Sequence, residues 1–216
     1  MAPSLSPEPS GAGTQVAAEP SDSEARLPPE TGDALLTIAR QSIVDAFDGK
    51  PPRFSSSAAP GSNDKRGVFV TLHVDGDLNG CIGDVSGDKP LAHEVARLAR
   101  AAAFDDPRLP ALRRRQLPRL TIEVSVMSPQ EPIPATSPEL LRSHLTPGVH
   151  GLMISSGRHR ALFLPDVWQQ LPEFADFIGR LFAKAGMDPR RWPDHLTAWR
   201  FTTQAFTSHA QRPAPH

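Results

Sequence analysis

Two segments of the chain alternate apolar and polar residues, and this alternation restricts the fold more than any other feature of the sequence. In residues 67–74 and 120–127 every second residue is Val, Leu or Ile. A side-chain period of two places these apolar residues on one face of a strand and the residues between them on the other. Because antiparallel sheets commonly pack one face on the core and leave the other in a more polar environment, the pattern predicts an antiparallel or mixed sheet.

Turn and helix signals surround these strands. Asp75-Gly76-Asp77 is typical of a hairpin turn, so a second strand is predicted over residues 78–84. Apolar residues at helical spacing predict helices over residues 33–47, 89–104 and 173–185, and Asp88 is a candidate cap for the second of them. Further strands are predicted over residues 148–154, 160–164 and 196–206. Hairpins joined by helices, rather than repeated βαβ units, indicate an α+β fold with helices flanking the sheet.

The two ends of the chain differ in composition from the middle. Residues 1–31 are rich in Pro, Ser, Ala and Glu, with few large apolar side chains. Such a segment cannot bury enough surface to offset its ordering entropy, so we predict a disordered N-terminal tail. Residues 209–216 are predicted to form a flexible C-terminal tail. A single domain over residues 32–208 remains, which suits a chain of 216 residues.

Charge and cysteine content argue against several classes of protein. The formal net charge is -1, which is not the charge of a typical nucleic-acid-binding domain. No apolar run approaches the roughly 20 residues of a membrane span, and no signal-peptide pattern opens the chain, so we expect a cytoplasmic protein without a membrane partner. Cys81 is the single cysteine, which excludes an intrachain disulfide and multi-cysteine metal sites. No phosphate-binding loop or metal motif predicts a cofactor or a metal.

Cys81 is the sharpest candidate for chemistry. It belongs to the run Leu78-Asn-Gly-Cys-Ile-Gly83, in which simple alternation places Leu78 on the core side and turns Asn79 and Cys81 to the open side. The flanking glycines would let a ligand or another backbone approach closely. A thiol becomes a useful nucleophile when a cation or a base lowers its pKa. The alternative is a small buried hydrophobic residue beside glycines that serve a bulge or tight packing.

Several residues are candidate partners of this thiol. His73, His150 or Arg108 could activate it if folding brings one of them near. His150 lies between two glycines, which suits an exposed imidazole, although its register with the apolar residues that follow indicates a position at the core margin. Asp106 and Arg108 could bind an anionic substrate as a carboxylate–arginine pair, with an ordinary turn and surface ion pair as the alternative.

Two further polar features lie at the second alternating strand. Glu123 shares the polar face of that strand and could act as a general acid or base, with cross-strand pairing as the alternative. A dense basic cluster precedes the strand: Arg113, Arg114, Arg115 and Arg119. A solvated face is the ordinary interpretation of such a cluster. RNA contact is the lesser one, because no aromatic residues are interleaved with the arginines.

Blocks of sequence distributed along the whole domain carry a family resemblance. They are Gly67-Val-Phe-Val-Thr-Leu72 with Leu78-Asn-Gly-Cys-Ile-Gly83, Asp105-Asp-Pro-Arg108, Leu120-Thr-Ile-Glu-Val-Ser-Val126, Gly148-Val-His-Gly151, Leu164-Pro-Asp-Val167 and Lys184-Ala-Gly186. In this order they resemble the blocks of the AMMECR-type domain family, over residues 32–208. The resemblance implies an α+β domain built on an antiparallel sheet, with a smaller subdomain.

The resemblance also implies partners. Bacterial and archaeal members of the family resemble protein A of the AmmeMemoRadiSam system, whose companions are a Memo-like protein and a radical SAM protein. The family is also counted among predicted RNA-modification proteins. This chain departs from the family motif at Asn79, where relatives usually have arginine. If that arginine binds an anion in relatives, another arginine must do so here or the function is weakened.

Two hypotheses about function follow. The first is a component of a modification system, acting on RNA or a small molecule, with Cys81 and His150 as catalytic residues. Its predicted substrate contacts are Asn79, Gly80, Gly83, Asp106, Arg108 and Glu123. The second is a non-catalytic adaptor for Memo-like and radical SAM partners. An enzyme needs Cys81 exposed in a concave site near a base or cation, whereas an adaptor needs a flat exposed patch and is indifferent to Cys81→Ser.

Overall fold

A computed structural model of the protein describes residues 26–52 and 59–208. The predicted N-terminal tail lies outside these residues as far as residue 25, and the predicted C-terminal tail lies wholly outside them. In chain order the elements are α1 (Pro29–Phe47), β1 (Val68–Val74), β2 (Asp77–Asp84), α2 (Leu91–Phe104), a 3-10 helix (Arg114–Arg119), β3 (Leu120–Met127), β4 (Glu131–Ile133), α3 (Pro138–Ser143), β5 (Gly151–Ser156), β6 (His159–Phe163), α4 (Val167–Gln170), α5 (Phe174–Lys184), β7 (Thr197–Phe201) and β8 (Thr203–Thr207). Among the helices of these residues, none has the length and apolarity that crossing a membrane requires.

The first sheet has the strand order β2-β1-β3-β8, and all of its neighbouring strands are antiparallel. Helices α1 and α2 pack on one face of this sheet. The alternating apolar residues of β1 and β3 are buried beneath them: Val68, Val70, Leu72, Val74, Leu120, Ile122, Val124 and Val126. The predicted α+β arrangement, with a sheet that buries one face under helices, is therefore confirmed.

The second sheet forms a smaller unit with the strand order β4-β7-β5-β6, again antiparallel throughout. Its core includes Phe177 of α5 and Trp168 of α4, whose rings stack with centroids 3.7 Å apart. Met127, Met153 and Phe201 form a third, small cluster that joins the two sheets. The two-sheet arrangement agrees with the smaller subdomain that the family resemblance implies.

The segment predicted as one strand over residues 196–206 is two strands that belong to different sheets. β7 pairs within the second sheet and β8 within the first. The break lies at Thr202, whose amide donates to Ser128 Oγ at 3.0 Å and whose carbonyl accepts from the Ser128 amide at 2.9 Å. Alternation alone missed the break, because a chain can keep its period of two while it passes from one sheet to the next.

The helix starts also differ from the predictions. α1 begins at Pro29, ahead of the predicted start, because proline suits the first helical position and lacks the N–H that would go unpaired there. Asp88 does not cap α2, which begins at Leu91 after Pro90. The carbonyls of Asp64 and Ser62 instead accept the first amides of that helix, at 2.9 Å each. Backbone carbonyls of the segment before β1 therefore provide the hydrogen-bond acceptors that a side-chain cap would otherwise provide.

Candidate functional site

β2 is an edge strand, and the loop after α2 binds its outward-facing backbone at Cys81. The Cys81 amide donates to Asp106 Oδ2 at 3.0 Å, and Arg108 donates to the Cys81 carbonyl at 2.6 Å. Arg108 also donates to both oxygens of the Asp106 carboxylate, at 2.9 and 2.8 Å. These two side chains take the place of a neighbouring strand, and they keep the edge from pairing with another chain.

The charges of this pair are strongly coupled. The hydrogen bonds from Arg108, and next the one from the Cys81 amide, hold the pKa of Asp106 well below its usual range. The same hydrogen bond to Asp106 raises the pKa of Arg108. The Asp106 side chain is 2% exposed, whereas the Arg108 side chain is 63% exposed. The pair therefore presents a permanent guanidinium to solvent beside Cys81, anchored on a buried carboxylate.

A bulge in β2 decides which face of the sheet Cys81 occupies. The pairing of β1 with β2 shifts by one residue beyond the hairpin turn, which leaves Asn79 as the extra residue. An unbroken ladder would place Cys81 opposite the core residue Val70. With the bulge, Cys81 lies opposite Thr71, on the face that the helices leave open. Thr71 Oγ1 donates to the half-buried Cys81 Sγ at 3.4 Å.

The bulge also reverses the predicted positions of Leu78 and Asn79. Leu78, expected on the core side, is 47% exposed, and Asn79, expected on the open side, is only 7% exposed. Asn79 Nδ2 donates to the Pro110 carbonyl at 2.9 Å. Its Oδ1 is buried without a hydrogen-bond partner among the described residues. A buried acceptor in this state costs about 1–3 kcal/mol of stability.

The two glycines of the motif lie against different neighbours. A Cβ at Gly80 would overlap the Ala102 carbonyl, so the glycine lets α2 approach β2. A Cβ at Gly83 would overlap the Phe69 ring on the open face of the sheet. Close packing thus accounts for both glycines. Gly80 packs on the helix-covered face of the sheet, whereas Gly83 packs on the open face that also carries the Cys81 thiol.

Polar side chains form a row across the open face of the first sheet. Thr71 on β1 lies opposite Cys81 on one side and opposite Glu123 on the other. Glu123 Oε1 accepts a hydrogen bond from Ser125 Oγ at 3.1 Å. His73 lies two residues from Thr71 along β1 and therefore shares its face. Sequence reasoning missed Thr71, because counting the register from the hairpin turn does not reveal the bulge.

The structure places His150 in the second sheet's unit, in the turn before β5. Its Nδ1 accepts from the Thr146 amide at 2.9 Å, and its carbonyl accepts from Trp168 Nε1 at 2.8 Å. The contacts of Cys81, by contrast, are with Thr71, Asp106 and Arg108. Of the predicted site residues, Asp106 and Arg108 thus contact Cys81, Glu123 shares its face, and His150 belongs to the other unit.

Metal ligands would have to come from convergent acidic, histidine or cysteine side chains. In residues 26–52 and 59–208, no three such side chains lie close enough to hold a metal ion. Arg108, which contacts Cys81, and Glu123, which shares its face, are charged side chains that a ligand on this face could meet.

Comparison with known proteins assigns the chain to a family. The AMMECR1 domain matches residues 36–206. A protein of Methanothermobacter thermautotrophicus is 36% identical over 185 residues, covering 84% of this chain and 96% of the relative. A protein of Thermofilum pendens is 34% identical over 201 residues, covering 84% and 91%. The crystal structure of the uncharacterised protein PH0010 from Pyrococcus horikoshii is similar at 30% identity, with a TM-score of 0.75, and the match covers 87% of this chain and 96% of that one. The chain belongs to the AMMECR1 family.

Proposed function

We propose that this protein is a component of a modification system that binds an electrophilic small molecule on the open face of the first sheet and uses the Cys81 thiol as a nucleophile. One observation carries the proposal: the half-buried Cys81 Sγ lies on the open face, on a residue whose own backbone is held by the exposed cation Arg108. A structural cysteine would be expected in the core, among apolar neighbours.

The Asp106–Arg108 pair supports the recognition of an anionic or polarised group. Asp106 is buried and fully occupied by Arg108 and the Cys81 amide, so it is not free to take part in chemistry. Arg108 keeps most of its side chain exposed. A guanidinium fixed in this way can receive a carboxylate, a phosphate or a developing oxyanion without first having to be ordered.

His73 is the proposed proton acceptor, in place of His150. It shares the face of Cys81 and follows Thr71, the cross-strand partner of Cys81, by two residues along β1, on the far side of the bulge. In the proposal a water molecule between the imidazole and the thiol relays the proton. Glu123 lies one strand further, about 10 Å from Cys81, which suits a contact with the distal part of a substrate.

The proposed step is the addition of the thiol to a polarised double bond. The Cys81 sulfur forms a bond to the electrophilic carbon while the thiol proton passes to His73. The electron pair of the attacked bond moves to its far atom, where Arg108 offsets the developing charge. The proton held by His73 then completes the addition, so no external oxidant or reductant is needed.

A small molecule is favoured over RNA as the substrate. The net charge of -1 gives the protein no general attraction for a polyanion. Arg114 and Arg119 of the basic cluster make ion pairs with Asp48 and Asp75. A modified base stays the second candidate, because a single base is small enough for the same face.

Alkylation of Cys81 by iodoacetamide, followed by mass spectrometry, tests the proposal. We expect the folded protein to react, and His73→Gln to slow the reaction at neutral pH by about tenfold or more, because the proton acceptor is lost. His195→Gln, which changes an exposed histidine in the α5–β7 loop, is the matched control and should leave the rate unchanged. Reaction only in denaturant, or equal rates in both variants, would contradict the proposal.

Memo-like and radical SAM proteins are the proposed partners of such a component, and this proposal rests on the family resemblance. Pull-down with the wild-type chain and with Cys81→Ser tests the partnership, and complementation of a deletion strain with each form separates the two hypotheses. A catalytic component should bind its partners in both forms while only the wild type modifies substrate. An adaptor should show the same cellular function in both forms.

A further inference from the structure

Each of the two sheets has two edge strands, and in the described part of the chain three of these four edges are protected. The Asp106–Arg108 pair holds the edge of β2. Strand β4 has only three residues, and Pro132 among them has no amide N–H to offer. Helix α5 lies beside β6, and Lys184 donates to the Leu162 carbonyl at 3.0 Å. Short strands, prolines and covering segments are the usual means by which proteins keep their edges from pairing with other chains.

β8 is the fourth edge strand, and none of these means protects it. Its five residues are Thr203-Gln-Ala-Phe-Thr207, without a proline or a charge. The Ser208 amide donates to the Ile122 carbonyl at 2.8 Å, so by alternation the amides of Ala205 and Thr207 point away from β3. Both residues are exposed, and neither amide has an acceptor among residues 26–52 and 59–208. This edge therefore offers backbone hydrogen bonds to an additional strand.

An open cleft of about 430 Å³ lies beside this edge, between the first sheet and the unit of the second sheet. Thr203, Gln204 and Ala205 line it from β8, and Val149 and Pro165 line it from the second unit. Val149 is 49% exposed, so its apolar side chain is available for contact. A strand edge that gives hydrogen bonds, next to an apolar side chain, is the arrangement that binds an extended peptide.

The N-terminal segment leaves the fold from the wall of this cleft. The Gln204 side chain of β8 donates to the Leu27 carbonyl at 2.9 Å and accepts from the Leu27 amide at 2.8 Å. Leu27 is buried in the core of the first sheet, so these bonds fix the backbone at this point. Arg26, the next residue toward the N-terminus, lines the cleft. The residues before Arg26 are therefore attached within reach of the open edge of β8.

Residues 1–25 are acidic, whereas the cleft has an excess of cations. The segment contains neither lysine nor arginine, and its ionisable side chains are all carboxylates: Glu8, Glu19, Asp22 and Glu24. It contributes -4 to the net charge of -1, so the remaining residues carry +3. In the cleft, Arg26 and Arg66 stand against one carboxylate, Asp166, while Arg66 also keeps a long ion pair with Asp64 at 3.6 Å. Electrostatic attraction thus adds to the short tether.

We propose that residues 19–25 dock in this cleft as an additional strand along the open edge of β8. Backbone groups of the segment pair with the outward amides of β8, and its carboxylates lie near Arg26 and Arg66. Extended, the segment spans about 23 Å and β8 about 17 Å, so the segment is long enough to cover the edge. The docked segment protects the fourth edge as the other three are protected. The site is separate from the proposed thiol site, so the proposal goes beyond the proposed function.

Hydrogen exchange of outward edge amides in the full chain, followed by NMR, tests the proposal. The Gly83 amide is the reference, because it also points outward from an edge strand and lacks an acceptor among the described residues. We expect the Ala205 amide to be protected at least about tenfold more than the Gly83 amide, each relative to an unstructured peptide of its own sequence, at low salt. Equal protection of the two amides would overturn the proposal.

Two double variants test whether the acidic segment is the cause of this protection. Asp22→Lys/Glu24→Lys should lower the protection of Ala205 by about tenfold or more, because attraction to the cleft becomes repulsion. Asp88→Lys/Glu139→Lys makes the same change of charge at exposed positions away from the cleft and should leave the protection unchanged. Equal loss in both variants, or no loss in the first, would overturn the proposal.

Protein concentration separates docking of this segment from pairing with a second copy of the chain. Docking within one chain does not depend on concentration, so the protection of Ala205 should be the same in dilute and concentrated samples. Protection that rises with concentration would mean that two copies pair through β8, and this result would also overturn the proposal.

Discussion

At the scale of single residues, the Asp106 carboxylate has two structural roles. Its carboxylate replaces the hydrogen bond that a further strand would make to Cys81, and it orients Arg108 toward solvent. The sequence presented Asp106 as a substrate contact or as part of a surface ion pair. The structure buries the carboxylate and exposes the arginine, so the two members of one pair face different environments.

We expect Asp106→Asn to destabilise the protein at neutral pH and to have less effect in acid. The pKa of Asp106 is lower in the folded chain than its ordinary value of 3.8. The ionised carboxylate therefore contributes its full stability above that value, and the contribution is lost as the pH falls toward the folded pKa. Urea unfolding at about pH 7 and about pH 3 measures the difference in unfolding free energy between the two proteins.

Asp105→Asn is the matched control for this experiment, because Asp105 is the exposed neighbour of Asp106. It should change stability little at either pH. A difference between Asp106→Asn and wild type that stays constant, or grows, as the pH falls would show that the Asp106–Arg108 pair does not stabilise the fold through its charge.

At the scale of elements, β2 is the strand whose local structure matters most. An edge strand leaves every second amide without a strand partner. At Cys81 the loop after α2 supplies that partner. The bulge at Asn79 determines which face of the sheet each later side chain of β2 occupies. One loop and one extra residue therefore determine the surroundings of the thiol.

Hydrogen exchange of individual β2 amides tests this account of the edge. The amides of Cys81 and Gly83 both point outward from the sheet, and only the first has Asp106 as its acceptor. We expect the Cys81 amide to exchange at least about tenfold more slowly than the Gly83 amide, and the gap to close in Asp106→Ala. Equal protection of both amides in the wild type would mean that the loop does not hold the edge.

At the scale of the whole molecule, two sheets with separate cores meet at a small apolar cluster. Met127 comes from the first sheet, and Met153 and Phe201 come from the second. The crossing at Thr202 carries the chain between the sheets. Because the cluster is small, a substitution within it is expected to make the unfolding of the two units less cooperative.

We expect Phe201→Ala to destabilise the protein by about 3–5 kcal/mol, since a buried ring is lost, and to make the two units unfold at different urea concentrations. All three tryptophans, Trp168, Trp192 and Trp199, lie in the second unit, so their fluorescence reports that unit. The NMR signals of the β1 backbone amides report the first unit. The two transitions should coincide in the wild type and separate in the variant.

Phe47→Ala is the control for the whole-molecule prediction. Phe47 packs on Phe104 within the first unit, with ring centroids 5.1 Å apart, and does not belong to the junction cluster. Its loss should lower stability while the two transitions stay together. Coincident transitions in Phe201→Ala as well would show that the units are coupled by contacts other than this cluster.

The sequence by itself determined the features that depend on local periodicity and on local chemistry. Alternation in β1 and β3 and the Asp75-Gly76 turn were enough to locate β1, β2 and β3, because the period of a strand is set within a few residues. The positive φ angles of Asp75 and Gly76 are those that a tight hairpin turn requires. The order of the family blocks identified the family, and the single cysteine identified the thiol to examine.

Only the tertiary structure decided which side chains meet. The bulge at Asn79, the division of the last strand at Thr202 and the placement of His150 in the second unit all depend on contacts between distant parts of the chain. An alternating pattern reads the same whether a strand contains a bulge or changes sheet, and it carries no information about its partners. Arg108 contacts Cys81, and the carbonyls of Ser62 and Asp64 accept hydrogen bonds from the first amides of α2. Both contacts form because packing brings together segments that are distant in the sequence.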